Sequence, residues 1–388
     1  MSNVHTLAAA VSAVACAVAV PAQTVFVVDG LNRPGTSFLD LPAAVAAAVP
    51  GDVISVRSDG GNYTAFQTQR PLTVVASPGQ AFIRATAAAP LVITNLLPGQ
   101  QFTMRGFVVG PTNASGPLVQ ISNCAGRVAL IDVDVGIGFP SVSIQSCGGV
   151  LLQGGRILGS FPAVAAQNSA VEFVQMTLQG GTADARFNQV SAPAVSLRQC
   201  RAVFAGCQVS GGLGAPTLPP SPALDVVNST VDAAAIGGLG SLRAGPAGVG
   251  GALQSPAVRG QNATLRLDPT LPVVPTGAVP AVVGVNSVNA QFPSLVLDLR
   301  STVGFLSAGP VAGAAEALLI GFPADPRPLP GIAGVLWLDP NATFVVFGVP
   351  PAFAIPGMPP GTTIAAQIVA LSAANGAELS NVAMLAVR

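Results

Sequence analysis

The chain has 388 residues, half of them hydrophobic and only 8% charged, and its 16 basic and 16 acidic residues cancel. That length accommodates two domains with real cores, the apolar fraction argues against disorder, and the sparse, balanced charge argues against a phosphate-neutralising nucleic-acid surface. Every basic residue is Arg, since there is no Lys, and 44 Gly and 35 Pro accompany abundant Ala and Val, a composition that fits a turn-rich fold and a GC-rich bacterial genome.

Residues 1–22 read as a signal peptide. An apolar stretch from Leu7 to Val20 precedes Val20-Pro21-Ala22, a small-residue pattern that a signal peptidase cuts. Only the α-amino group and His5 supply positive charge before it, and Ala13-Val14-Ala15-Cys16 is an alternative lipidation box. No later apolar run reaches 18 residues without Pro, Gly or a charge, so no membrane span is expected, and a secreted or cell-surface location is.

Asp40-Leu41-Pro42 through Val49-Pro50-Gly51 predicts a short helix: Asp40 caps it, Pro42 suits its first turn and Pro50-Gly51 stops it. A strand, Asp52-Val53-Ile54-Ser55-Val56, follows. A degenerate repeat comes next, its copies beginning at Pro90, Pro117, Pro140, Pro162, Pro193, Pro222 and Pro256, with spacings of 27, 23, 22, 31, 29 and 34 residues. A unit near 22 residues is one bare coil of a β-solenoid, and the variable excess is what loops leaving a fixed corner produce. Within each copy apolar residues alternate, as in Val119, Ile121, Val128, Leu130, Val133 and Val135, which turns one side inward. Asn123-Cys124, Ser146-Cys147, Asn168-Ser169, Gln199-Cys200, Asn228-Ser229 and Asn262-Ala263 recur at one phase, where a bend is expected because Asn tolerates left-handed backbone angles. The cysteines there read as rungs of a ladder of small residues. Cys124 and Cys147 also fall within disulfide range if adjacent coils sit about 4.8 Å apart.

The helix, the following Pro-Gly-Asp, the apolar strand and Gly61-Asn62-Tyr63 resemble the entry to pectate-lyase-like right-handed parallel β-helix proteins. The resemblance covers residues 25–266. It implies a right-handed parallel β-helix domain over 23–285 with a short N-terminal capping helix. It is silent on activity, since lyases, hydrolases, epimerases and adhesins share that fold.

Beyond Asp268 the repeat fades. Leu295–Arg300, Ala317–Phe322, Gly334–Asp339, Thr343–Phe347, Thr363–Leu371 and Ala377–Val387 predict six short strands, and 286–388 is expected to be a small β-sandwich-like domain. Its Gly361-Thr362-Thr363-Ile364-Ala365-Ala366-Gln367 and Glu378-Leu379-Ser380-Asn381 resemble C-terminal β-modules of secreted planctomycete and myxobacterial proteins, which implies an accessory or surface-attachment role.

With His5 in the leader and no Lys, the mature chain lacks the groups behind most acid–base and nucleophilic mechanisms, and His-based zinc sites are excluded with them. Asp132 and Asp134, two apart in one strand, are expected on one face, and aligning Val135 with Ile157 puts Asp134 beside Arg156. The trio resembles polysaccharide lyases of this fold, which implies catalytic roles for Asp132, Asp134 and Arg156, calcium held by Asp132 and Asp134, and Arg156 assisting proton abstraction beside a uronate carboxyl group. Read plainly, it is a cross-strand ion pair that sets coil register. Asp225 and Asp232 fall around the Asn228 corner, and Tyr63 and Trp337, the only Tyr and Trp, read as core residues. The expectation is an exported, non-catalytic β-helix with a structural, adhesive or surface role, needing no cofactor and meeting a polysaccharide or cell-surface component. The alternatives are a polysaccharide-active enzyme or an oligosaccharide-binding module.

Overall fold

A computed structural model describes residues 23–388 apart from 112–115, 184–189, 237, 249–252, 299–303, 308–310, 312, 348–361, 374–375 and 387–388. The expected leader, Gly361 and the ends of the strands expected to reach Arg300 and Val387 lie outside the described residues.

Strands from Val25 to Asn289 pair in parallel into a continuous 25-stranded solenoid sheet with three faces. Each Pro of the repeat stands one or two residues before a strand of the first face. Val119, Val142, Val164, Val195, Leu224 and Val258 are successive rungs there. The second face stacks Arg127–Ile131, Gly149–Gln153, Ala170–Val174, Arg201–Ala205 and Thr230–Ala234. The third stacks Arg156–Gly159, Thr177–Gln179, Gln208–Ser210 and Ser241–Arg243. Alternate side chains fill one continuous core, in which Phe173 and Phe204 stack with ring centroids 4.5 Å apart.

The expected bend lies between the first and second faces. Asn95, Asn123, Ser146, Asn168, Gln199, Asn228 and Asn262 all have φ between 49° and 57°. The corner N–H bonds to the next coil, as in Asn123 to Gln145 O at 2.9 Å and Asn168 to Arg198 O at 3.0 Å. The next residue forms the expected ladder: Ser169 Oγ accepts the Cys147 N–H at 3.0 Å and Ser229 Oγ accepts the Cys200 N–H at 2.9 Å. Cys124, Cys147, Cys200 and Cys207 are buried free thiols. The remaining corner, between the third and first faces, carries the loops that lengthen the later repeats. Gly181, Gly212 and Gly245 stack there so closely that a Cβ on Gly212 would sit 1.8 Å from Gly181 O.

The N-terminal end is closed by the helix Leu41–Ala47. Asp40 Oδ1 accepts the N–H groups of Leu41 and Thr64, both at 2.8 Å. Asp52 accepts from Thr24 and Val49, and the Arg70 guanidinium donates to the carbonyls of Val45, Ala46 and Ala48 at the helix C-terminus. Asp40 at one end of the helix and Arg70 at the other thus supply side-chain partners for groups the helix leaves unpaired.

The C-terminal domain is a small barrel. Ala315–Leu329 pairs with Ile332–Phe347 and Thr363–Ser372, and Gly376–Leu379 bridges the latter two, closing the ring; Ala383–Ala386 extends it. The strands expected at Gly334–Asp339 and Thr343–Phe347 are one long strand with register shifts against its partner. The strand expected over Ala377–Val387 breaks at 380–382, where Ser380 and Asn381 bond to backbone: Asn381 brackets Leu295 through its N–H at 2.8 Å and its carbonyl at 2.7 Å. A strand not expected, Gly304–Ser307, pairs antiparallel with Leu295–Asp298. Among the described residues no helix is long and apolar enough to cross a membrane.

Candidate functional site

Asp132 occupies the corner between the second and third faces, with φ 52°. The two-residue spacing to Asp134 therefore spans a bend, with both carboxylates half-buried on either side of buried Val133. Gln80 Nε2 approaches the Asp132 carbonyl at 3.3 Å and its Oδ1 at 3.4 Å. Val135 does pair with Ile157, which sets Asp134 beside Arg156, but the contact formed is between Asp134 Oδ1 and the Arg156 backbone N–H, at 2.7 Å. Arg156 is exposed and Asp134 half-buried. Among the described residues no three of His, Cys, Asp and Glu converge as metal ligands. Asp225 and Asp232 stand on different faces: Asp225 lies between Arg198 and Arg259 on the first, while Asp232 belongs to the second.

A more enclosed arrangement lies where the barrel meets the second face. Outward-facing Ala129, Ile131, Leu151, Val174 and Ala205 are buried against Leu336, Trp337, Leu338, Val382 and Met384. Strands of this face are thus apolar on both sides, which yields continuous runs such as Val128–Ile131 and Val150–Leu152. Polar groups fasten the contact. Gln153 pairs with both the N–H and the carbonyl of Met384 at 2.8 Å, Glu172 accepts the Val382 N–H at 2.7 Å, and the Arg105 guanidinium donates to Ala386 O. Arg266 bridges Asp232 at 2.8 Å and Glu378 at 2.6 Å and lies 5.2 Å from the centroid of Phe292.

These groups surround a cleft of about 230 Å³, walled by Glu172, Arg201, Asp232, Arg266, Phe292 and Trp337. Burial pushes the Glu172 carboxyl up to about 7, against the opposing pull of the Val382 N–H, the Trp337 indole and the Arg201 charge. Burial works against the Arg266 charge, but hydrogen bonds to Asp232 and Glu378 outweigh it and hold the guanidinium above its ordinary range. Arg127, buried beneath the barrel with Nη1 3.5 Å from Trp337 O, is lowered to about 10 by burial, with Asp325 opposing. Trp337 is 1% exposed, and its Nε1–H, although close enough to influence Glu172, completes no hydrogen bond with a described residue. A carboxyl titrating near neutrality inside a cleft marks a candidate for binding or proton transfer.

Neither this cleft nor a second hollow beside Pro42, Phe66 and Arg70 is lined by Asp132, Asp134 or Arg156. Periodicity alone passed over Glu172 and Arg201. The available signal was an acid inside an apolar strand, Ala170-Val171-Glu172-Phe173-Val174, in a face whose neighbouring coils read as buried on both sides.

The chain matches no protein-family model and no curated protein. Its class rests on its architecture: a three-faced parallel β-helix with a small β-barrel docked on one flank.

Proposed function

We propose that the protein is an exported, non-catalytic β-helix that serves as a structural, adhesive or surface element, its ligand a polysaccharide or cell-surface component. The observation that carries this reading is the use made of its acidic groups. Asp134 fastens one coil to the next through Arg156 N–H, Glu172 holds the barrel through Val382, and Asp232 and Glu378 share Arg266. Carboxylates engaged in this way stiffen a scaffold. The entry motif Pro50-Gly51-Asp52 with Tyr63 supports placement among pectate-lyase-like β-helices, and the apolar stretch before Pro21 supports export.

The second reading, a calcium-dependent uronate lyase acting through Asp132, Asp134 and Arg156, is favoured by one observation, the register that sets Asp134 beside Arg156. The test is incubation with polygalacturonate and alginate, with and without calcium, followed by absorbance near 232 nm, where the unsaturated product absorbs. No rise is expected. A calcium-dependent rise that Asp134→Ala abolishes overturns the scaffold reading, and a glycan array then separates catalysis from binding.

A further inference from the structure

The cleft between solenoid and barrel holds two donors that act on Glu172 from its two walls and retain hydrogen-bonding capacity for a ligand. Trp337 Nε1–H is buried without a completed hydrogen bond, and the half-buried Arg201 guanidinium, on the opposite wall, acts on Glu172 through its charge. A buried N–H left unmatched is destabilising, so an acceptor belongs there. The geometry points to a binding site for a small organic carboxylate, its charge between Arg201 and the Trp337 indole N–H and its body against Phe292, Pro326 and Pro328.

Four observations define this ligand. Both groups are donors, one of them a planar guanidinium suited to a carboxylate. The adjoining wall is apolar, formed by Phe292, the two prolines, Val335 and Leu379. The positive charge of Arg266 is already committed to Asp232 and Glu378, which leaves Arg201 as the cation that faces a ligand in the cleft. Glu172 sets the pH range: protonated, it adds no negative charge, whereas ionised it repels an anion. The charged groups packed around Glu172 are Arg201, Asp232 and Arg266 on the cleft wall and Glu378, which is paired with Arg266, with Arg127 and Asp325 by the Trp337 backbone, and with Glu172 neutral the charges of Arg201, Arg266, Asp232 and Glu378 balance.

Trp337 is the only Trp in the chain, so its emission reports this cleft alone. The test titrates the full protein with phenylacetate at pH 5.5 and pH 8.5, following Trp337 fluorescence and the thermal midpoint, with neutral phenylacetamide as the isosteric control. Phenylacetate is expected to shift the emission saturably and raise the midpoint at pH 5.5, and to bind at least tenfold more weakly at pH 8.5. Arg201→Gln is expected to weaken binding at least tenfold, Arg201→Lys less, and Trp337→Phe, followed by calorimetry, to weaken it while keeping the aromatic wall. An unchanged emission and midpoint, an equal response to phenylacetamide, or undiminished binding by Arg201→Gln overturns the site and leaves the donors to water. This outcome is independent of the lyase assay, because none of the groups tested belongs to the Asp132–Asp134–Arg156 trio.

Discussion

The carboxylate of Glu172, on the outer side of a solenoid strand, accepts the backbone N–H of Val382 in the barrel at 2.7 Å, across 210 positions of chain. The two domains are thereby joined through a group whose protonation burial has displaced from the ordinary glutamate value of about 4.5 to about 7.

That displacement has a definite sign. An acid with a higher pKa folded than unfolded binds its proton more tightly in the folded state, so its contribution is fully present below about pH 4.5 and is lost as pH rises through about 7. At about 1.4 kcal/mol per unit, the loss is on the order of 3 kcal/mol. Glu172→Gln keeps an acceptor for Val382 and removes the titration. The variant is expected to exceed the parent in thermal midpoint at pH 8, with the difference shrinking toward pH 4.5. A parallel pair of midpoint-against-pH curves would show that Glu172 is not the titrating group.

Gln153 bonds both backbone groups of Met384 and is itself fully buried. Gln153→Ala strands a donor and an acceptor at once, at a cost of about 2–4 kcal/mol. Because those groups lie in the last barrel strand, the effect is expected locally. Amide exchange at Met384 should accelerate by on the order of a hundredfold, while protected amides in the solenoid core, such as Val142, change little.

The solenoid was legible because its signals are local and repeated. A Pro before each first-face strand and an Asn-like corner after it need only one coil to make sense, and seven copies make the phase plain. The barrel was harder: Gly334–Phe347 contains Pro340 and Asn341, which read as a break, yet pairing with Ala315–Leu329 on one side carries the strand through with a shift in register. The candidate cleft was least legible. Glu172, Asp232 and Arg266 share a column of the second face only once the coils are stacked, and Trp337 reaches them from a domain whose placement no spacing encodes. Asp132 shows a complementary limit, since its positive φ puts a bend into the two-residue spacing to Asp134 that the sequence did not announce.

At the corners the backbone demands a left-handed residue, and the side chain matters less. Asn168, at φ 50°, is exposed, so packing does not obscure the comparison. Asn168→Ala is expected to cost about 1–2 kcal/mol, whereas Asn168→Gly should fall within about 0.5 kcal/mol of the parent, because Gly adopts this conformation without strain. Equal losses from both would mean that the Asn side chain, rather than its backbone angle, is what the corner needs.

Gly149 is where the barrel sits closest to the solenoid. A Cβ there would lie 2.4 Å from Pro326 Cγ and 2.8 Å from Trp337 Cη2, in two paired barrel strands, the second of them pinned by Gln367, which accepts the Trp337 N–H at 2.7 Å and donates to Val335 O at 2.9 Å. With the Trp337 strand so held, the clash cannot be relieved by one rotamer, and the barrel must shift as a body. Gly149→Ala is therefore expected to weaken docking by about 1–3 kcal/mol and to move Trp337 into water. Its emission should shift to longer wavelength and the barrel should become sensitive to limited proteolysis, while the solenoid, whose core lies on the other side of that strand, keeps its parallel ladder. An unshifted Trp337 emission in Gly149→Ala would mean that the contact between Gly149 and the barrel is looser than these distances describe.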